Sequence, residues 1–290
     1  MSNQQHRTVR SNGADLAVYE AGPPAAPGAP GILLVHGYPD DHHVYDGVVD
    51  RLAANHRVIT YDTRNAGASR VDTEEQASYR MELLVDDLYA VLDATDTPQV
   101  HLVGHDWGSI QGWAALGDPR AQQRILSYTS ISGPDLGHFR NWVVTGLRTP
   151  GRRAQVLNQV LRSGYVAAFQ LPFLPEAAWK YLLTPRYEKT AGRSIGDNAL
   201  RGLQLYRANM FTFAKGSAGI PPGPVYTGPV QVVVPRKDPF ISPALASGLQ
   251  ERFPGVHLVD VDAGHWWPEQ NSAEFAALLE QWVAARPEGH

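Results

Sequence analysis

The chain has 290 residues, long enough to bury roughly three quarters of the surface its unfolded form exposes. It holds no cysteine, which excludes a disulfide framework, a thiolate nucleophile and cysteine-ligated zinc. Its 25 basic and 29 acidic residues leave a net charge of −4, without the basic excess of a nucleic-acid binder.

The opening residues, MSNQQHRTVRSNG, are polar and lack the apolar core of a secretory signal. No run along the chain approaches the ~20 apolar residues of a membrane span, so a soluble, cytoplasmic protein is expected. Residues 14–20 (ADLAVYE) read as a strand, and residues 31–35 (GILLV) as a short buried strand ending at His36-Gly37. Residues 44–55 have helical spacing, 56–61 (HRVITY) form a strand, and 79–95 carry apolar residues at helical intervals. Another buried strand, 100–104 (VHLVG), is followed by a helix over 109–116 and a strand over 124–132 (RILSYTSIS). Unbroken apolar strands alternating with helices indicate an α/β fold, a mainly parallel sheet with helices on both faces.

From 135 to 226 the alternation stops, leaving helical stretches and loops. It resumes with strands at 229–235 (PVQVVVP) and 256–261 (VHLVDV) and a closing helix over 271–285. We therefore expect one α/β core made of 1–134 and 227–290, with 135–226 inserted as a mostly helical cap. The cap segment holds 12 basic and 4 acidic residues, a net charge of +8 against −12 for the rest. Attraction between a basic cap and an acidic core accounts for this segregation. The lesser alternative is that Arg148, Arg152, Arg153 and Arg162 hold an anionic membrane surface or an acidic partner.

The chemistry centres on Gly104-His105-Asp106-Trp107-Gly108, between a buried strand and a helix. Small residues two before and two after a nucleophile let a strand turn sharply into a helix and project the middle side chain into a cleft. Here the middle residue is Asp106, and Gly-x-Ser-x-Gly occurs nowhere in the chain. The plainer alternative is an aspartate that caps the following helix. Beside a helix N-terminus the carboxylate is expected to be ionised at neutral pH. As a nucleophile it would displace a leaving group from saturated carbon and form an alkyl ester. It is a poor choice for attack on a carbonyl, which argues against ordinary esterase or protease activity.

Release of such an ester needs an activated water. His265, in Ala263-Gly264-His265-Trp266-Trp267 after the last strand, lies where open α/β sheets gather their active sites. Asp238, after the preceding strand, is the natural residue to orient it, with Asp260 and Asp262 as competitors. The order nucleophile, acid, histidine is that of the α/β-hydrolases. The loop His36-Gly37-Tyr38-Pro39 can aim the Tyr38 N–H into the cleft. With the Trp107 N–H it would form an oxyanion hole, the alternative being a plain turn. Asp40-Asp41-His42-His43 is not expected to bind metal, since adjacent loop residues rarely converge on one ion.

Along nearly its whole length the chain resembles the epoxide hydrolases of the α/β-hydrolase superfamily. The resemblance rests on His36-Gly37-Tyr38-Pro39, Asp62-Thr63-Arg64-Asn65-Ala66-Gly67-Ala68-Ser69, His105-Asp106-Trp107-Gly108, Lys237-Asp238 and Gly264-His265. These motifs fit any aspartate-nucleophile hydrolase, haloalkane dehalogenases included; in the dehalogenases, an asparagine commonly follows His-Gly, where this chain has Tyr38. The resemblance further implies two cap tyrosines that hold and protonate the epoxide oxygen. Tyr165 stands four residues before Phe169-Gln170-Leu171-Pro172, and Tyr206 lies in Leu205-Tyr206-Arg207-Ala208-Asn209; ordinary packing is the alternative for both. It implies substrate contacts at His36, Pro39 and Trp266, an apolar small-molecule epoxide as substrate, and neither cofactor nor metal.

The wording from Asp62 to Ala66 departs from the family's more usual Arg-Gly-x-Gly and is expected to matter for packing. The chain also resembles the hydrolase half of bacterial proteins in which this domain is fused to a short-chain dehydrogenase. It carries no dinucleotide fingerprint, so either a stand-alone relative or part of a longer protein is expected. The expected function is hydrolysis of epoxides to vicinal diols. The alternatives are a hydrolytic dehalogenase and a catalytically silent ligand-binding protein on the same fold.

Overall fold

The computed structural model describes residues 5–23, 29–214 and 226–286; the remainder of the expected cap, 215–225, lies outside the described residues. Among the described residues, nine strands share one sheet: β1 (Gln5–Ser11), β2 (Ala14–Ala21), β3 (Gly31–Val35), β4 (Val58–Tyr61), β5 (Arg70–Val71), β6 (Val100–His105), β7 (Ile125–Ile131), β8 (Val230–Pro235) and β9 (His257–Val261). Their order is β1-β2-β4-β3-β6-β7-β8-β9, with β5 paired to β2 off this path. From β4 to β9 every pairing is parallel, and β2 pairs antiparallel with β1, β4 and β5.

The apolar runs become strands because both faces of the sheet are covered. Every residue of β3, β4, β6 and β7 is buried. Successive side chains of β3 enter opposite layers, as the two-residue period of a strand requires. Leu33 and Val35 join one apolar cluster, and Ile32 and Leu34 the other. The first layer is closed by α2 (Met81–Ala94) and α3 (Trp107–Ala115), and the second by α1 (Asp46–Leu52) and α13 (Ser272–Ala284). The remaining core helices are short: α4 (Ala121–Arg124), α11 (Leu249–Arg252) and α12 (Trp267–Gln270).

Strand β1 falls within the polar opening stretch, which carries no strand signal by hydropathy. It is a mostly exposed edge strand, so an apolar run is not required of it. Its pairing with β2 is set by Asn12 and Gly13, both at positive φ (34° and 80°), as a two-residue hairpin turn demands.

Between β7 and β8 the chain forms α5 (Leu136–Arg148), α6 (Arg153–Arg162), α7 (Gly164–Ala168), α8 (Leu174–Ala178), α9 (Thr184–Ala191) and α10 (Asn198–Ala214). No described residue there adds a strand to the sheet. These helices bury Phe169, Trp179, Leu203 and Tyr206 against Tyr38, Trp107 and Ile110. The helical layer therefore sits over the strand ends that carry the expected nucleophile.

The loop after β4 does more than fill space. Arg64, fully buried, clasps both oxygens of Asp87 at 2.6 and 2.8 Å and reaches the carbonyls of Ser11, Asn12 and Ser78. Asp62 accepts from the His42 backbone N–H and ring and from the Ala68 N–H. Burial alone would raise its carboxyl, but these bonds hold it at about 2. The Thr63 N–H donates to His36 Nε2 at 2.9 Å. This loop thus fixes the His36–Pro39 turn from below. Removing one partner of a buried pair strands the other charge. Asp87→Ala is therefore expected to lower stability by about 3–5 kcal/mol in denaturant titration, and adding Arg64→Met should restore part of the loss.

Candidate active site

Strand β6 ends at His105 and α3 begins at Trp107, leaving Asp106 alone to make the turn at φ 51° and ψ −118°. That region is uncommon for a residue with a Cβ, and tight packing enforces it. A Cβ on Gly108 would lie 2.1 Å from the Val35 carbonyl oxygen, and one on Gly37 would lie 2.5 Å from Asp106 Oδ1. Only glycine permits either approach. The side chain makes no helix-capping bond. Instead Oδ1 accepts from the Tyr38 N–H at 2.8 Å, and the neighbouring Trp107 N–H also favours the anion. Both amides expected to form an oxyanion hole thus favour the carboxylate. Burial pushes the Asp106 carboxyl up to about 6, although His265 and both amides favour the anion. It is therefore mostly ionised at neutral pH.

His265 is buried on the loop after β9. Its Nδ1 meets Asp238 Oδ2 at 2.9 Å, and its Nε2 lies 3.6 Å from Asp106 Oδ2. The second distance is too long for a hydrogen bond. Asp238 Oδ1 accepts the Phe240 and Ile241 N–H groups at 2.8 and 3.1 Å. Burial alone would raise the Asp238 carboxyl, but His265 and the two amides bring it below its ordinary value. Burial would likewise lower the His265 imidazole. The hydrogen bond to Asp238 and the charges of Asp238, Asp106 and Asp40 raise it instead. Asp260 and Asp262 face away, toward Arg236 at 3.7 Å and Lys237 at 2.8 Å. His105, itself buried, bonds the His265 carbonyl through Nε2 at 2.9 Å and so ties the histidine loop to the nucleophile strand.

A cavity of about 400 Å³ opens above Asp106, with Tyr165 and Tyr206 in its wall beside Ile110, Phe139 and Met210. The two phenol rings lie edge-on 5.9 Å apart, and the Tyr206 ring packs edge-on to Trp107 at 5.0 Å. Burial pushes both phenols up and the charge of Asp106 adds to the shift, so both stay protonated. Tyr38 spans the two layers. Its amide reaches Asp106, its hydroxyl donates to the Ala199 carbonyl of α10 at 2.8 Å, and its ring packs edge-on to Tyr206.

The residues expected to touch substrate sit elsewhere. His36 is buried, with Nδ1 on the Gly37 carbonyl and Nε2 accepting from Thr63, and supports the loop. Pro39 is buried in the same turn and, like His36, is not in the wall of the Asp106 cavity. Trp266 points past His265 and Phe240 into a second cavity of about 470 Å³, and its indole donates to Asp40 at 3.0 Å. Asp40 also accepts from the Tyr187 hydroxyl at 2.5 Å and pairs with Arg193, which reaches Glu269 as well. This cross-layer cluster has no signature in residue spacing. The ligating atoms of Asp41, His42 and His43 lie within 4.8 Å of one another. Each already serves the fold, Asp41 bonding Asn198, His42 bonding Asp62 and His43 bonding Asp46.

Comparison with known proteins gives a consistent family. A model described as the alpha/beta hydrolase fold matches residues 30–272. The chain is 32% identical over 299 residues to "Probable oxidoreductase EphD" of Mycobacterium tuberculosis, covering 97% of this chain and 50% of that protein. It thus spans about half the length of the first curated relatives it matches. It is 28% identical to "AB hydrolase superfamily protein YfhM" of Bacillus subtilis, over 95% of this chain and 96% of that one. Among solved structures, an epoxide hydrolase of Bacillus megaterium in complex with an inhibitor superposes with a TM-score of 0.76. That match is 21% identical and covers 96% of this chain and 100% of the other, a likeness of fold.

The geometry around His265 has a direct spectroscopic consequence. With Asp238→Asn the buried imidazole loses its principal charged partner, and burial then dominates. Its pKa, followed by NMR titration of the ring carbons, should fall. An unchanged titration would show that Asp238 does not hold the imidazole.

Proposed function

The chain belongs to the α/β-hydrolase fold family, and within it we propose that this protein opens epoxides to vicinal diols with water, through an ester on Asp106. One observation carries this reading. Two protonated phenols, Tyr165 and Tyr206, share with Asp106 the wall of one largely apolar cavity. A dehalogenating site needs an anion to be received there, whereas an epoxide needs a proton donor for the oxygen that remains on the substrate. The apolar walls suit an apolar epoxide. The family resemblance and the epoxide hydrolase that shares the fold support the same reading.

Asp106 Oδ1 is held by the Tyr38 amide, which leaves Oδ2, the oxygen facing His265, as the attacking oxygen. Oδ2 forms a bond to one epoxide carbon while the carbon–oxygen bond of the ring breaks. Tyr165 and Tyr206 stabilise the developing alkoxide and one of them donates its proton, giving a hydroxy-alkyl ester and a phenolate. The ester is neutral, so His265 loses one of the carboxylates that raise its pKa. More of the imidazole is thereby neutral, the form that can accept a proton, when a base is needed. Its Nε2 takes a proton from water, and the resulting hydroxide adds to the ester carbonyl carbon. Negative charge then develops on Oδ1, where the Tyr38 amide already points. Collapse breaks the bond between that carbon and Oδ2, and Oδ2 leaves in the diol with the proton held by His265. The new carboxyl gives its proton to the phenolate, which restores the phenol and returns Asp106 as a carboxylate. Asp238 keeps Nδ1 protonated throughout, so that Nε2 is the face that accepts.

A positioned general acid contributes about 10²–10⁴-fold in rate. Tyr165→Phe and Tyr206→Phe should each slow single-turnover consumption of styrene oxide, and the double variant should lose roughly 10²–10⁴-fold. Haloalkane turnover should be absent from every form. Unchanged epoxide turnover in the double variant, or haloalkane hydrolysis by the parent protein, would favour the dehalogenase. A protein that binds epoxides and turns over neither substrate would be a silent binder.

A further inference from the structure

Among the described residues, every large apolar side chain left exposed, except Leu258 on the edge strand β9, lies between Val144 and Leu182. All of these but Tyr181 and Leu182 form two groups. The outward face of α6 presents Leu157, Val160 and Leu161 at i, i+3 and i+4, while Val156 and Gln159 turn inward. Helix α5, packed on α6, adds Val144 and Leu147. The second group is the turn of Leu171, Phe173 and Leu174, with Phe173 83% exposed. Phe173 stands at φ 63°, a costly conformation for a bulky residue, and it gains no burial in return. Arg207 fixes the turn in that shape through the Phe169 and Leu171 carbonyls and Glu176. Exposed apolar patches of this kind mark surfaces that meet something.

The charge on the same layer identifies what it meets. Arg140 and Arg148 flank Val144 and Leu147 on the outward face of α5, and Lys180 follows the Phe173 turn. Little of the cap's positive charge is spent on the acidic core, because Arg193 is the one described cap arginine in an ion pair with core carboxylates. Three of the four arginines named as candidates for an anionic surface are already engaged. Arg162 donates to the Asp238 carbonyl at 2.6 Å, Arg153 donates to the Leu147 carbonyl at 3.0 Å, and Arg152 lies over the Trp142 ring. A two-fold contact with a second copy would set this positive face against itself.

We propose that this face docks on an anionic lipid bilayer. Phe173, Leu174 and the apolar face of α6 enter the interface, and Arg140, Arg148 and Lys180 meet acidic head groups. Apolar groups rimmed by cations are the composition of surfaces that lie in a membrane interface. Val160 belongs both to this face and to the wall of the Asp106 cavity, and Gln170, also in that wall, immediately precedes the Phe173 turn. The docked surface is therefore continuous with the cavity. The inference goes beyond the epoxide reading and does not depend on it, because its test reads binding alone.

Flotation with phosphatidylglycerol-containing vesicles, compared with vesicles of phosphatidylcholine alone, decides it. The protein should float with the anionic vesicles at low salt and be released as salt rises. Arg140→Gln with Arg148→Gln should lower partitioning by roughly 25-fold, about fivefold for each cation near a charged surface. Leu161→Ser with Phe173→Ser should abolish flotation, with thermal midpoints unchanged, since these side chains are solvent-exposed. Three results would overturn the proposal: no flotation, flotation indifferent to both pairs of substitutions, or a dimer in sedimentation that the Leu161 and Phe173 changes dissociate.

Discussion

A Cβ on Gly37 would stand 2.5 Å from the carboxylate of Asp106, so the loop after β3 reaches that carboxylate only because the side chain is missing. This approach gives the two oxygens of Asp106 different lives. Oδ1 is held by the Tyr38 amide, while Oδ2 faces His265 across 3.6 Å. In the proposed mechanism the first oxygen carries charge and the second reacts. The left-handed turn at Asp106, the glycines around it and the buried β3 and β6 beneath it all serve this difference. The cost appears in the carboxyl itself, which burial pushes up to about 6. Such a desolvated anion is more reactive, because less water must be stripped from it before it attacks.

The rest of the site is assembled across the boundary between sheet and helices. Tyr38 belongs to both, its amide on Asp106 and its hydroxyl on α10. Asp40, one turn of loop further on, is buried beneath Tyr187, Arg193 and Trp266. The loop that supports the carboxylate is therefore also the loop that seats the helical layer above it. Any shift of that layer moves Tyr165 and Tyr206 relative to Asp106. Positioning of the phenols and of the carboxylate is one mechanical problem, solved by residues 36–41 with support from Asp62 and Thr63 below.

What was legible in the sequence follows from the same physics. Strands β3, β4, β6 and β7 are buried on both faces, so unbroken apolar runs betrayed them. Strand β1 is an edge and left only the Asn12-Gly13 turn as a sign. The Gly-x-Asp-x-Gly spacing around Asp106 is dictated by local packing, and the positions of Asp238 and His265 by the ends of strands, so all three could be read in advance. Tyr165 and Tyr206 are ordinary helical tyrosines by spacing and stood out only through family resemblance. Side-chain direction was the main thing hidden. His36 and Trp266 neighbour reactive segments in sequence, yet one turns into the loop and the other into a second cavity. Arg162, read as a surface charge, is bonded to the backbone of Asp238. The Asp40 cluster joins partners far apart in the chain, and no local pattern records such a meeting.

The central claim is that one oxygen of Asp106 forms a bond to carbon. Single turnover of an epoxide in ¹⁸O-labelled water, with enzyme in excess, tests it most directly. If Oδ2 attacks and water then cleaves the ester, the first diol released carries unlabelled oxygen from the protein, and the label is found in the Asp106 carboxylate by peptide mass analysis. If Asp106 acts only as a base for water, the first diol carries the label and the Asp106 peptide stays unlabelled, and the covalent account fails.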